Sequence, residues 1–191
     1  MASEIYIVHK PYGYLSQFTQ EQEGDLTLAE LVKVGKDVYP VGRLDKDSEG
    51  LLVLTNDKTL NAALLNPEKH ILKTYWVQVE GDISKDAISQ LSTGVTIAIN
   101  KSNYFTKKAE VKNASHYVQI SDRNPPIRYR KNIVTSWIEI TIIEGKNRQV
   151  RKMCAKVGFP ALRVIRIAIG KYRVENFDWG KLFKITKEQI L

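Results

Sequence analysis

Apolar and polar positions in this chain of 191 residues repeat at two periods, and the changes of period mark its elements. A period of two belongs to strands, and a spacing of three to four belongs to helices. Ile5–Val8 is a short apolar run, ended by the turn residues Pro11-Tyr12-Gly13. Leu26, Leu28, Leu31 and Val32 have helical spacing and predict a helix over Leu26–Val34. Leu51–Leu54 is apolar throughout, as in a strand covered on both faces. Lys58–Leu65 predicts a helix capped by Thr55 or Asn56 and stopped by Asn66-Pro67. Lys73–Glu80 puts Tyr75, Val77 and Val79 on one face of a strand. Ser84–Leu91 predicts a further helix, residues 108–120 two strands, and Asn124-Pro125-Pro126 a loop. Ile133–Ile143 predicts a long strand. Asn147–Val157 predicts a helix with Val150, Met153, Cys154 and Val157 on its apolar face and Gly158 at its C′ stop. Leu162–Ile169 reads as a strand. Strands and helices mix without strict alternation, repeats or a linker. The order predicts one α+β domain over residues 1–191 with a largely antiparallel sheet.

Charge sharpens this picture in one segment. The net charge of +8 points only to some polyanionic partner. Residues 1–100 hold nine basic and fourteen acidic residues, whereas residues 146–173 hold nine basic residues and no acid. A solvated basic helix face would explain a short run. This run covers a helix and the strand after it, which favours phosphate binding. One cysteine, Cys154, excludes an intramolecular disulfide and a Cys-rich metal site. His9, His70 and His116 lack metal-ligand spacing, so no metal is expected. No apolar run approaches the ~20 residues that span a bilayer. The N-terminus lacks a basic region followed by an apolar core. The expectation is a soluble cytoplasmic protein without a membrane partner.

Three clusters carry candidate chemistry. In Val41-Gly42-Arg43-Leu44-Asp45-Lys46-Asp47-Ser48-Glu49-Gly50, a glycine-bounded loop leads into the apolar run and can hold a side chain rigidly. A basic residue near Asp45 would keep it ionised, as a nucleophile or base requires. Asp45 and Asp47 equally suit Asx-type turn bonds. In Lys73-Thr74-Tyr75-Trp76 an aromatic side chain can stack on a base or simply fill the core. In Glu144-Gly145-Lys146-Asn147-Arg148-Gln149-Val150-Arg151-Lys152 a strand ends at a glycine and a helix starts among basic residues. Arg148, Arg151 and Lys152 share a helical face by spacing. They can grip phosphates, or offer a guanidinium to a carboxylate.

Together these residues resemble a known family. Gly42-Arg43-Leu44-Asp45, followed by Ser48-Glu49-Gly50-Leu51-Leu52-Val53-Leu54-Thr55-Asn56, is similar to the signature of the bacterial rRNA pseudouridine synthases typified by the A-type enzyme of small-subunit rRNA. Lys73-Thr74-Tyr75, Glu144–Lys152 and Leu162–Gly170 resemble its later motifs, in order, from His9-Lys10-Pro11-Tyr12-Gly13 onward. Leu15-Ser16-Gln17-Phe18-Thr19, Arg123–Arg128 and Thr135-Ser136-Trp137 are most like the E-type branch, which acts on large-subunit rRNA. The resemblance implies a pseudouridine synthase catalytic domain with a central RNA-binding cleft and no separate N-terminal RNA-binding domain. It implies isomerisation of one uridine in domain V of 23S rRNA, near the peptidyl-transferase region, on rRNA or a ribosomal assembly intermediate. It implies no cofactor, and a monomer is expected.

The same resemblance distributes roles. Asp45 is the catalytic carboxylate, Tyr75 stacks on the target base, and Arg151 pairs with Asp45. Arg43 fills the space that the flipped base leaves. Arg148, Lys152, Arg163 and Arg166 contact RNA phosphates. The Pro125-Pro126 loop with Arg123, Arg128, Arg130 and Lys131 reads either as an RNA-gripping arm or as a mobile surface loop. Two other functions compete: a non-catalytic rRNA-binding or ribosome-assembly factor on the same fold, and a nucleoside glycosidase. The first predicts RNA binding without isomerisation, the second release of free uracil.

Overall fold

The apolar run Leu51–Leu54 lies inside a strand, Glu49–Thr55, whose seven residues are all buried in the computed structural model. The structure describes residues 3–127 and 134–191. They belong to two compact units. One takes in the chain up to Ile71 together with Arg166–Leu191, and the other is Leu72–Ile165.

The first unit begins with β1 (Ile5–Lys10), two residues longer than its apolar run. It continues with β2 (Tyr39–Pro40) and β3 (Glu49–Thr55). Both β1 and β2 pair antiparallel with β3, with Ile7 opposite Val53 and Pro40 opposite Leu54. The helix α1 (Lys58–Leu65) has the predicted bounds but a different cap. Asp57 accepts from the N–H groups of Thr59 and Leu60. Thr55 and Asn56 are engaged elsewhere, because the Thr55 hydroxyl donates to Glu4 O and Asn56 Oδ1 accepts from Glu4 N–H. Leu60 and Leu64 of α1 pack with Ile5, Ile7, Val41, Leu51 and Val53. The helix predicted over Leu26–Val34 is only a 3-10 turn, Leu28–Glu30. A capping box between Thr27 and Glu30 starts the turn. Val32, Val34 and Gly35 propagate a helix poorly, so it does not extend.

The second unit starts with β4 (Lys73–Glu80), as predicted, and α2 (Lys85–Thr93), capped by Ser84. A hairpin of β5 (Thr96–Ile99) and β6 (Ser102–Phe105) follows, which the hydrophobic pattern did not foretell. Its turn residues Asn100 and Lys101 both have positive φ, 47° and 66°, as a tight hairpin requires. Where two strands were expected over 108–120, only β7 (Glu110–Asn113) forms, because the chain turns at Ala114–Tyr117. Then come β8 (Thr135–Ile142), α3 (Gln149–Lys156) and β9 (Ala161–Ile169). The strand β8 pairs antiparallel with β4 on one side and β7 on the other. The helix α3 buries Val150, Met153 and Cys154. Gly158 and Phe159 donate back to Ala155 O and Cys154 O, a Schellman stop with Gly158 at φ 88°.

Within β9 the chain passes back into the first unit at Arg166. There β10 (Tyr172–Arg173) pairs with Ala168 and Ile169, and β11 (Leu182–Lys184) pairs with β1. These pairings too are antiparallel, in keeping with the α+β expectation. Among the described residues no helix is long and apolar enough to cross a membrane.

Candidate functional site

In the first unit the Asp45 loop is anchored at both ends. Val41 N–H donates to Val53 O at 2.8 Å. At the other end Gly50, with φ 107°, lies so close to Arg166 that a Cβ would sit 2.2 Å from its carbonyl oxygen. Only glycine fits that approach. Between these anchors Leu44 is buried, Asp45 half-buried and Arg43 exposed. Ser48 N–H closes a turn on Asp45 O at 3.0 Å, and Gly13 N–H donates to Lys46 O at 2.9 Å. The loop's two cations meet acids of one neighbouring segment. Arg43 Nη2 lies 3.0 Å from Glu21 Oε1, and Lys46 Nζ lies 2.5 Å from Asp25 Oδ1.

Lys10 adds a feature that was not among the candidate residues. It is fully buried at the end of β1, and Nζ donates to Tyr14 O at 2.7 Å and Pro11 O at 3.1 Å. Burial brings its pKa down to about 8, against the opposing pull of Glu49, Asp47 and Asp45. Arg166 adds to the lowering. The visible signal was a lysine closing an otherwise apolar strand.

In the second unit Tyr75 is buried on β4, opposite Ile140 of β8 and on the same face as Val77 and Val79. Arg151 is half-buried on α3, and its Nη1 donates to Ala161 O at 3.2 Å. The shared helical face expected for Arg148, Arg151 and Lys152 needs correction. Arg148 is not in the helix; it precedes α3 in a left-handed conformation at φ 51° and is exposed. Lys152 is half-buried, with Nζ 3.3 Å from Asn147 Oδ1.

The turn at Arg148 follows from its neighbours. Glu144 Oε1 accepts from Gln149 Nε2 at 2.5 Å and from Lys107 N–H at 2.9 Å, while Gln149 Oε1 accepts from Lys146 N–H. Gln149 is thus drawn inward, and the chain from Lys146 to Arg148 is forced outward. Glu144 and Gln149 lay within the third candidate cluster but were assigned no role, and Tyr104 lies on the unforeseen hairpin. Lys146 Nζ sits 5.1 Å from the centre of the Tyr104 ring.

The two arginines of β9 expected at phosphates are buried. Arg163 and Arg166 are 3% and 7% exposed. Arg163 Nη1 donates to Ser121 O, and Arg166 Nε to Leu51 O. They lie on opposite faces of β9, which is buried on both faces from Arg163 to Ile169. Arg123 bends back onto Pro125 O and Pro126 O. Arg128, Arg130 and Lys131 lie outside the described residues. Among the described residues no group of three or more His, Cys, Asp or Glu is placed to hold a metal.

The chain is similar to known proteins. Residues 4–156 match the family model described as RNA pseudouridylate synthase. A protein of Vibrio parahaemolyticus named ribosomal large subunit pseudouridine synthase E is 49% identical over 178 residues, 93% of this chain and 72% of that one. A protein of the same name from Xanthomonas axonopodis pv. citri is 46% identical over 172 residues, 90% of this chain and 88% of that one. These names speak for the large ribosomal subunit, and the small-subunit label of the first resemblance finds no support in them. A solved pseudouridylate synthase superposes with a TM-score of 0.77 at 22% identity, covering 99% of this chain and 73% of its own, which establishes the shared fold.

Proposed function

The chain belongs to the RNA pseudouridylate synthase family, and from that premise we propose that it converts one uridine of 23S rRNA, in domain V, to pseudouridine. The observation that carries this reading is the near-half identity to proteins named large-subunit synthases along nine-tenths or more of the chain. The reaction breaks the bond between N1 of the base and C1′ of the ribose, turns the base, and joins C1′ to C5. C5 loses its proton and N1 gains one, so atoms and oxidation state are conserved and no cofactor is called for.

Asp45 is the reacting carboxylate in this proposal. Its loop is anchored at Val41 and Gly50 and leaves the side chain half-exposed, as a group meeting a large substrate must be. Arg43 is the exposed cation that takes the place of the flipped base, which compensates for an unstacking cost of a few kcal/mol. Tyr75 stacks on the base, and Arg151 is the guanidinium that keeps the reacting carboxylate charged. Arg148 and Lys152 take the phosphates, and of the two Arg148 is the more open to them.

The test is tritium release from a 23S rRNA fragment labelled at C5 of its uridines, incubated with the purified protein. Release of one equivalent per RNA, with no free uracil, is expected. Binding without release would instead favour an assembly factor, and free uracil a glycosidase.

A further inference from the structure

Ser16 is 2% exposed and lies on a segment distant in sequence from the Asp45 loop. Its hydroxyl donates to Leu44 O at 2.7 Å and accepts from Leu44 N–H at 3.0 Å. One side chain therefore holds both backbone polar groups of the residue immediately before Asp45. The position of Ser16 is itself fixed on both sides. Leu15 N–H donates to Leu26 O at 2.8 Å, and Leu28 N–H donates to Gln17 O at 2.8 Å. The same segment reaches the other side of Asp45 through Gly13 N–H on Lys46 O, and through Asp25 on Lys46 Nζ.

We infer that Ser16 is a positioning residue for the reaction: through Leu44 it sets the backbone, and hence the aim, of Asp45. This rests on the reading of Asp45 as the reacting carboxylate. The physical reason is that the two buried bonds engage both peptide planes that flank the Leu44 Cα, 43–44 and 44–45, and so fix its backbone in orientation as well as in place, whereas the exposed Arg43–Glu21 pair fixes little. Asp45 directly follows Leu44, so the backbone that Ser16 holds is the one from which the carboxylate side chain projects. Displacement of a reacting group by about 1 Å is enough to cost on the order of 100-fold in rate.

The test uses the full chain with a 23S rRNA fragment. Ser16→Ala is expected to lower kcat by about 10-fold or more, with KM changed by less than about 3-fold. Ser16→Thr, which keeps the hydroxyl, is expected to hold kcat within about 3-fold of the wild type. In the unsubstituted protein the Leu44 amide is expected to exchange with solvent more slowly than the Asp45 and Lys46 amides. Asp45→Asn is run beside these. If Asp45→Asn is inactive and Ser16→Ala keeps full kcat, the positioning role is wrong and the carboxylate reading stands. A raised KM with normal kcat in Ser16→Ala, or equal losses in the Ala and Thr variants, also overturns it. So does rapid exchange at Leu44 in the unsubstituted protein. An active Asp45→Asn overturns the carboxylate reading itself.

Discussion

The phenol of Tyr104 donates a 2.5 Å hydrogen bond to Oε2 of Glu144, joining the β6 strand to the loop before α3. That bond, with burial and the nearby carboxylate charge helping, pushes the phenol up to about 12. A raised phenol pKa means stability that is fully present below about pH 10 and is lost between about pH 10 and 12. Tyr104→Phe is expected to lose about 1–3 kcal/mol of unfolding free energy near neutral pH. It also removes that alkaline loss. Urea unfolding across the pH range checks both; equal pH profiles for the two proteins would contradict them.

Gly50→Ala is expected to destabilise by more than about 3 kcal/mol, since it combines a positive φ with a backbone clash against Arg166. Gly13 also has positive φ, 88°, but nothing lies within 4 Å of its added Cβ. Gly13→Ala is therefore expected to cost only about 1–2 kcal/mol. Thermal melts of the two variants measure the contrast.

Exposed and buried arginines separate in salt titrations. Arg148→Ala is expected to weaken RNA binding and reduce the slope of log affinity against log salt by about 1. Arg163→Met is expected to lower Tm and leave that slope unchanged, since the side chain is buried and its guanidinium donates to Ser121 O. Filter binding at several salt concentrations, with melts alongside, distinguishes them.

Lys10 predicts a pH dependence of opposite sense to that of Tyr104. Its folded pKa of about 8 lies below the ordinary 10.5, chiefly through burial. Between these values the unfolded chain holds a proton that the folded one has lost, so this group raises stability as pH increases from about 8 to 10.5. The gain is lost again as pH falls to about 8. Wild type measured against Lys10→Met is expected to show a relative gain of about 3 kcal/mol across that window. A flat difference would show that the amine titrates normally.

Much of this molecule was legible in its sequence wherever local pattern and burial agree. The uniform run Leu51–Leu54 could only be covered on both faces, and Lys73–Glu80 alternated as it folds. What escaped was decided by partners distant in sequence. Thr55 and Asn56 read as helix caps, yet Glu4 claims both. Arg163 and Arg166 read as a charged wall, because two arginines in a strand do not reveal that both of its faces are covered. Arg148 read as helical until the inward pull of Glu144 on Gln149 was visible. Of the candidate residues, Asp45, Arg43, Tyr75 and Arg151 came from motif resemblance, whereas the roles of Lys10 and Ser16 show only in the fold.

The most direct test of Asp45 chemistry is a pseudouridine map of 23S rRNA from a strain that lacks this gene and carries either the wild-type chain or Asp45→Asn. The proposal predicts that one domain V uridine is left unmodified without the gene, is restored by the wild type, and stays unmodified with Asp45→Asn although that protein folds and binds RNA. Full modification of that uridine by Asp45→Asn would contradict it.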